Sequence, residues 1–256
     1  MRVLVFLLSY TTAPNLPHSA MMLFMERLDR LISKLGYATR KEVRELLRAG
    51  IITVRNEEAS DPGMQVNATD VLFDGEPLDH PNGILIAFNK PVDVVCSKSS
   101  NEGQTVYEYV PEQWLRRNPE ITTVGRLDKD TSGLVLITDQ GPLAHRLTSP
   151  KSHIPKVYHV TIDRDLSPEL VILFKAGTLM LEGEYNPCAP AELEIIGPRE
   201  AKITLYEGRN RQIRRMFASQ SYIVINLHRE KIGKLEIGDL AEGMWRELPI
   251  NYFDTE

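Results

Sequence analysis

The residues best suited to chemistry lie in the segment GRLDKDTSGL, at positions 125–134. This segment presents the carboxylate of Asp128, with Arg126 close by, among glycines and small polar residues that are typical of a loop. Apolar runs at 121–124 and 134–138 flank the loop and predict two short buried strands. A lone aspartate in such a loop most often bonds its own backbone, so Asp128 needs partners elsewhere before it can be assigned a reaction.

One candidate partner is Tyr158, which lies in the predicted strand KVYHV at 156–160. Together with Asp128 it could form a site. A strand tyrosine between two valines is, however, more often a half-buried packing residue. The sequence leaves both interpretations open.

The second candidate is the basic run EGRNRQIRRM at 207–216, in which a single acid, Glu207, faces four arginines. Its composition indicates a strand-to-helix turn whose first amides and arginines could hold phosphate. Arg214 could instead point inward, where it would need an anion, and Asp128 is the natural one. A solvated basic helix end is the alternative. The predicted phosphate contacts are Arg209, Arg211 and Arg215, with Arg126 from the aspartate loop.

The composition excludes several other kinds of site. The chain has 256 residues, of which 42% are hydrophobic and 25% charged, which is ordinary for a soluble globular protein. The two cysteines form no C-x-x-C pair and the six histidines show no metal-ligand spacing, so we expect no metal and a reducing cytosol. No glycine-rich phosphate loop is present, so we expect no cofactor. The net charge of -5 argues only weakly against nucleic acid, because the basic groups cluster.

Residues 1–24 differ from the rest of the chain. Their apolar run at 3–8 is too short for a secretory or membrane-spanning segment, and Pro14 and Pro17 break any helix. We predict a disordered extension or an upstream start ahead of Met25, and no membrane partner.

Residues 25–80 predict a small helical module. Apolar spacing from Leu28 to Leu35 indicates a helix that Gly36 ends, and the T-x-x-E pair Thr39 and Glu42 opens a second helix. Strands are predicted at 51–54 and 71–73. Seven basic side chains stand against four acidic ones, which favours either a solvated face or a phosphate-contacting one. The basic residues are Arg27, Arg30, Lys34, Arg40, Lys41, Arg44 and Arg48.

After a linker at 79–83, strand patterns dominate. Because these strands are mostly not separated by regular helices, they predict an α+β domain with a mixed, mostly antiparallel sheet. Strands are expected at 84–89, 157–162, 192–196, 202–206 and 222–227, and helices at 142–148, 168–175 and 210–219. His228 and Arg229 follow the last strand and could contact RNA or cap a sheet edge.

Two resemblances give these patterns a context. Residues 27–54 resemble the small RNA-binding module, the αL motif, shared by a small-subunit ribosomal protein and some tRNA synthetases. Residues 25–250 resemble the pseudouridine synthases, most closely the small-subunit rRNA group. The segments that carry this second resemblance are NKPVDVVCS at 89–97, VGRLDKDTSGLVLITD at 124–139, HRLTSPKSHIPKVYHV at 145–160, EGRNRQIRRMFA at 207–218 and LHREKIG at 227–233. One departure is Val92–Asp93, where such enzymes more often have a glycine and an aromatic residue.

The resemblance implies roles for three residues. Asp128 becomes the catalytic aspartate, Tyr158 stacks against the target uracil and assists proton removal at C5, and Arg214 is the basic partner of Asp128. The glycosidic bond of a uridine is broken and the base is rejoined through C5, without metal or cofactor. Asp128 would either attack C1′ or take a proton from C2′, and the sequence does not choose.

The resemblance also implies a substrate and a domain plan. We expect an RNA-binding αL domain at 25–80, a catalytic domain at 81–256, and a cytoplasmic monomer that modifies rRNA or an assembly particle during ribosome biogenesis. A 16S rRNA target is favoured over a 23S one, because HRLTSP and LHREKIG look most like the small-subunit enzymes. The alternatives are a non-catalytic RNA-binding assembly factor and a glycosidase that uses Asp128 with Asp130.

Overall fold

The structure is a computed structural model that describes residues 25–254. The predictions made for residues 1–24 lie outside this range. The described chain divides into two compact units, residues 25–32 with 38–78 and residues 33–37 with 79–254. Within the described residues, no helix has both the length and the apolar composition needed to cross a membrane.

The first unit is built from two short helices and small β-ribbons. The predicted T-x-x-E box forms, since the Thr39 amide donates to the Glu42 carboxylate at 2.8 Å and the Glu42 amide donates to the Thr39 hydroxyl at 3.4 Å. Leu28, Leu31 and Val43 are buried beneath these helices. The elements are β1 (Glu26–Arg27), α1 (Leu28–Lys34), α2 (Val43–Arg48), β2 (Ile52–Val54), β3 (Glu57–Glu58), β4 (Gln65–Val66), a 3-10 turn (Ala68–Asp70), β5 (Val71–Phe73) and β6 (Glu76–Pro77).

The second unit contains the remaining strands and helices. They are β7 (Leu85–Lys90), β8 (Thr122–Val124), β9 (Ser132–Thr138), α3 (Gly141–Thr148), β10 (Lys156–Ile162), α4 (Glu169–Lys175), β11 (Glu192–Gly197), β12 (Glu200–Leu205), α5 (Gln212–Ala218), β13 (Val224–Ile232), β14 (Leu235–Glu236) and β15 (Trp245–Glu247). Short 3-10 turns lie at Ser100–Glu102, Val106–Tyr109, Glu112–Arg116 and Pro150–Ser152.

The strands of the second unit form one sheet of nine strands. The order across it is β11-β12-β10-β13-β9-β7-β15, with β8 added to β9 and β14 to β13. The pairing of β13 with β9 is parallel and the other pairings are antiparallel. The α+β class and the mixed, mostly antiparallel sheet are therefore confirmed.

Both faces of this sheet are covered, because successive residues of a strand point to opposite sides. On β9, Val135 and Ile137 join a core that contains α4 and α5 residues such as Phe174 and Phe217. Leu134 and Leu136 join a second core with α3. Because both faces of β9 are covered, the whole strand is buried and its sequence contains a continuous apolar run at 134–137.

Several element boundaries differ from the predictions. Helix α5 begins at Gln212 rather than at 210, because Arg211 adopts a left-handed backbone conformation with φ of 47°. Helix α4 begins at Glu169, and the Ser167 hydroxyl accepts the Glu169 amide. Strand β13 continues to residue 232, well past the predicted end at 227. Arg229 is therefore not an edge cap, since its strand lies inside the sheet.

Candidate active site

Three adjacent strands bring the predicted site residues together. Strand β13 lies between β10 and β9. Tyr158 of β10 is paired with Arg229 of β13, and Arg229 is paired in turn with Gly133 of β9. The loop that carries Asp128 leads directly into β9, so residues far apart in the sequence meet at one place.

Gly133 allows the close approach of β9 and β13. Its φ is 106°, which side chains on L residues rarely permit. A Cβ atom there would lie 2.4 Å from the carbonyl oxygen and 2.6 Å from the amide nitrogen of Arg229. Both atoms are backbone in the middle of a sheet, so the clash could be relieved only by moving a strand.

The site is a cleft of about 320 Å³ with Asp128, Tyr158, Arg214 and Arg229 in its lining. This volume is within the usual range for small-molecule pockets. The side chain of Asp128 is 34% exposed, whereas Tyr158 is only 9% exposed. The carboxylate is thus reachable from solvent while the tyrosine forms part of the wall.

Asp130 ties the Asp128 loop to the start of α5. Its carboxylate accepts two hydrogen bonds from Arg211, at 2.7 and 3.1 Å. Its backbone oxygen accepts a third, from Nη2 of Arg214 at 2.6 Å. Bidentate arginine–carboxylate pairs fix geometry as well as charge, so this contact positions the loop.

The ion pair that Arg214 forms in the described structure is with Asp130, so its predicted pairing with Asp128 stays a prediction. The carboxylate that Arg214 contacts is Asp130, with Nε 3.3 Å from Oδ2, and its Nη1 donates to the Val224 carbonyl at 2.9 Å. The guanidinium that approaches Asp128 belongs to Arg211, whose Nη1 lies 3.7 Å from Oδ2.

The electrostatics of this cluster follow from hydrogen bonding and burial. The hydrogen bonds from Arg211 hold the pKa of Asp130 below its ordinary value, and the same contact raises the pKa of Arg211. Burial lowers the pKa of Arg214, although the charge of Asp130 opposes that effect. Asp130 therefore stays ionised and serves as the counter-ion that both arginines share.

A turn at residues 90–94 contacts the loop that carries Asp128. Lys90 is fully buried, and its ammonium donates to the carbonyls of Pro91 and Val94 at 2.7 Å each. Asp93 lies at the tip with φ of 63°, and its amide donates to the Lys129 carbonyl at 2.8 Å. The unusual Val92–Asp93 pair thus still forms a turn, because aspartate tolerates the left-handed conformation better than most residues.

The arginines predicted to bind RNA beside the cleft differ in their availability. Arg209 bonds Glu207 and the carbonyls of Asn186 and Pro187, and Arg215 bonds Glu184. Their charge is therefore largely used within the protein. Arg126 is exposed on the cleft lining and has no hydrogen-bond or ion-pair partner in the described part of the chain. Among these arginines, Arg126 is therefore the one most available for the predicted phosphate contact.

The first unit presents most of its basic side chains to solvent. Arg27 pairs with Asp29, while Arg30 lies 3.9 Å from Glu26 in a weaker contact. A shallow depression is lined by Arg27, Arg44 and Arg48. Arg40, Lys41, Arg44 and Arg48 are exposed, and Lys34 is half-buried.

Sequence reasoning did not assign Arg229 to the cleft. The side chain is 2% exposed, and its Nε donates to the Leu134 carbonyl at 2.6 Å. Its Nη1 lies 3.4 Å from the Tyr158 hydroxyl. The sequence offers no clear signal for this burial, because the four residues between Leu227 and Ile232 are all polar or charged.

Comparison with known proteins decides the family. Residues 84–219 match the family described as RNA pseudouridylate synthase, and residues 26–72 match the S4 domain. The chain belongs to the RNA pseudouridine synthases. It is therefore an isomerase that acts on RNA, with an S4 domain preceding its catalytic domain.

The chain matches individual relatives over nearly their whole lengths. The ribosomal small subunit pseudouridine synthase A of Yersinia pestis is 38% identical over 225 residues, which are 87% of this chain and 94% of the relative. The protein of the same name from Escherichia coli K12 is 36% identical over 227 residues, covering 87% and 96%. An RNA pseudouridine synthase of Bacillus subtilis without an assigned role is 35% identical, covering 87% and 94%.

The fold comparison agrees. A crystal structure of a pseudouridylate synthase is 33% identical and superposes with a TM-score of 0.61, covering 88% of this chain and 96% of that chain. The matched catalytic segment contains Asp128, Tyr158 and Arg214, and the matched S4 segment contains both basic helices of the first unit.

Proposed function

We propose that this pseudouridine synthase converts one uridine of 16S rRNA to pseudouridine, with Asp128 as its catalytic residue. The observation that carries the proposal is the cleft whose lining contains both Asp128 and Tyr158. The names of the Yersinia and Escherichia relatives support the small-subunit target. A 23S rRNA target is the alternative that a mapping experiment must separate.

In the proposed reaction the target nucleoside leaves its stack and enters the cleft. A base inside a helix cannot reach a carboxylate in a protein pocket, so flipping is required. The uracil stacks on the ring of Tyr158, and its ribose meets the partly exposed carboxylate of Asp128. Asp128 then attacks C1′ or removes the C2′ proton, and either route breaks the bond to N1.

The two arginines of α5 and its preceding turn have a positioning role in this proposal. Arg211 and Arg214 hold Asp130, and thereby the loop that carries Asp128, against the helix start. Fixed placement of a reacting group is worth a large part of a rate enhancement, because an error of about 1 Å can cost roughly 100-fold. Arg211 also keeps a positive charge 3.7 Å from the Asp128 carboxylate.

We propose further that residues 25–80 form the RNA-binding domain and residues 81–256 the catalytic domain. The exposed basic side chains of the first unit would contact the rRNA backbone without reading sequence. The substrate is free rRNA or a ribosomal assembly particle, and the enzyme works as a cytoplasmic monomer. Binding should weaken steeply with salt, since phosphate contacts release counterions.

The test is to map pseudouridine by carbodiimide modification across 16S and 23S rRNA from cells with and without this gene. We expect one 16S uridine to lose its signal in the deletion strain. That signal should return with the wild-type gene and with an Asp165→Asn control, whose carboxylate lies on the surface and pairs with Arg199. It should not return with Asp128→Asn, although that variant should still bind rRNA.

Each other outcome contradicts part of the proposal. A lost signal in 23S rRNA would overturn the 16S target. Unchanged pseudouridine in both rRNAs would favour a non-catalytic assembly factor. Release of free uracil by the purified protein would favour a glycosidase that uses Asp128 with Asp130.

A further inference from the structure

Arg229 is part of the cleft lining, and one nitrogen of its guanidinium has no hydrogen-bond partner among the described residues. That nitrogen is Nη2, and the side chain is only 2% exposed. No carboxylate in residues 25–254 forms an ion pair with Arg229 at 4.0 Å or less, whereas Arg211 and Arg214 both have one. A buried charge without a counter-ion is strongly unfavourable, so this group is suited to an anion that the protein itself does not supply.

Lys156 adds a second cation to the same cleft. It lies on β10, two residues before Tyr158, and its Nζ donates to the Ile154 carbonyl at 3.1 Å. Burial lowers the pKa of Lys156, and the charge of Arg229 lowers it further. The two cations thus repel each other, and an anion between them would relieve both the repulsion and the lost hydration.

The position of Arg229 indicates which part of an RNA substrate would supply that anion. Its Nη1 lies 3.4 Å from the hydroxyl of Tyr158, the residue on which the uracil is proposed to stack. A phosphate stays with the solvated backbone and suits the exposed Arg126. Arg229 is almost fully enclosed, and the flipped base is the part of the substrate that enters an enclosed pocket.

We propose that Arg229, assisted by Lys156, binds the uracil as an anion after it leaves the ribose. This inference rests on the proposed function and deepens it. When the C1′–N1 bond breaks, its electron pair goes to N1 and the negative charge spreads to O2 and O4. This holds whether Asp128 bonds to C1′ or takes the C2′ proton. The guanidinium of Arg229 donates to the charged oxygen.

The remaining steps balance without a further reagent. When C5 attacks C1′, an electron pair of the uracil anion forms the new carbon–carbon bond. In the same step Asp128 either departs from C1′ as a carboxylate or returns its proton to C2′. The C5 proton is lost and one proton is gained at N1, so the product is an isomer of the substrate. A charged donor that faces the anion in a water-poor cleft would lower the first barrier most.

The experiment compares leaving groups. Target rRNA fragments are prepared with uridine or 5-fluorouridine at the mapped position, because fluorine stabilises the N1 anion and lessens the need for help from the protein. Single-turnover loss of the nucleoside is measured for the wild type and for Arg229→Met. We expect the variant to be slower by about 100-fold on uridine, the usual effect of removing one such donor. On 5-fluorouridine, the factor by which the variant is slowed should be roughly ten times smaller.

Matched variants keep the result decisive. Lys156→Met removes the second cation at the first residue of β10, where the side chain is only half-buried, so it serves if Arg229→Met fails to fold. It should show the same difference between the two substrates to a smaller extent. Arg229→Lys should recover part of the rate that Arg229→Met loses on uridine. Arg199→Met removes an arginine whose side chain is 60% exposed and should behave as the wild type on both substrates.

The outcomes separate this inference from the proposed function. Equal slowing of both substrates in Arg229→Met, or in Lys156→Met where the first does not fold, would overturn the role of the cations in stabilising the leaving base. A wild-type protein that isomerises no uridine in either rRNA would overturn the proposed function instead.

Discussion

Replacing Gly133 by alanine should have a far larger effect than a single methyl group suggests. Gly133 holds a φ of 106° and leaves no room for a Cβ atom, which would lie 2.4 Å from a backbone oxygen of Arg229. An unfavourable backbone conformation of this kind costs about 1–3 kcal/mol. Overpacking adds about 1–3 kcal/mol more, because the neighbour here is a strand and not a flexible side chain.

The expected total is a loss of about 2–6 kcal/mol in the free energy of unfolding, which is a large part of the roughly 5–15 kcal/mol that holds a typical domain together. The measurement is urea unfolding of the wild type and the variant, followed by circular dichroism. Activity at low temperature should also fall, since separating β9 from β13 moves the Asp128 loop away from Tyr158.

Gly183→Ala is the matched control. Gly183 also has a positive φ, of 77°, but nothing lies within 4 Å of its added Cβ. This variant should therefore lose only the conformational part, about 1–2 kcal/mol, and keep its activity. If Gly133→Ala loses no more stability than Gly183→Ala, the close approach of the two strands is not what requires a glycine.

Three further variants test other parts of the second unit. His80 bonds the Asp79 carboxylate, which raises the pKa of His80 above its ordinary value of 6.5. That stabilisation is fully present below pH 6.5 and is lost as the pH rises through the raised pKa. His80→Gln should therefore lose more stability near pH 6 than near pH 9 in denaturant titrations. Arg117 and Asp139 form an ion pair at 3.0 Å, with side chains that are 2% and 5% exposed. Arg117→Met should therefore lower the free energy of unfolding by about 3–5 kcal/mol, measured by calorimetry, because it leaves a buried carboxylate unpaired. An equal loss in the double variant with Asp139→Asn would contradict this account. Asp93→Val places a β-branched residue at φ of 63° and should lose about 1–2 kcal/mol, whereas Asp93→Gly should melt close to the wild type.

The sequence predicted most strands of the second unit because burial leaves a clear pattern. The apolar run at 134–138 marks the core of β9, and the run at 84–89 nearly matches β7. The pairing of strands was not predictable in the same way. Nothing in the local pattern of residues 224–232 indicates that β13 lies between β10 and β9, since pairing depends on contacts between distant parts of the chain.

The prediction of the site was limited by a similar problem. A resemblance can assign roles to Asp128 and Tyr158, and the structure brings both to one cleft. It cannot tell which of two carboxylates two residues apart receives a given arginine, and Arg214 contacts Asp130. Arg229 was missed because an arginine is rarely buried, and its burial depends on neighbouring strands that a sequence pattern does not show.

The central position of β13 has a consequence for biosynthesis. In the described sheet, β10, β12 and β11 reach β9 and β7 only through this strand. A chain emerging from the ribosome has already made Asp128 and Tyr158 before residues 224–232 become available to join the two halves. The growing polypeptide therefore has no assembled cleft until β13 has been synthesised. Any product truncated ahead of β13 should be catalytically inactive and prone to aggregate through its unpaired strand edges.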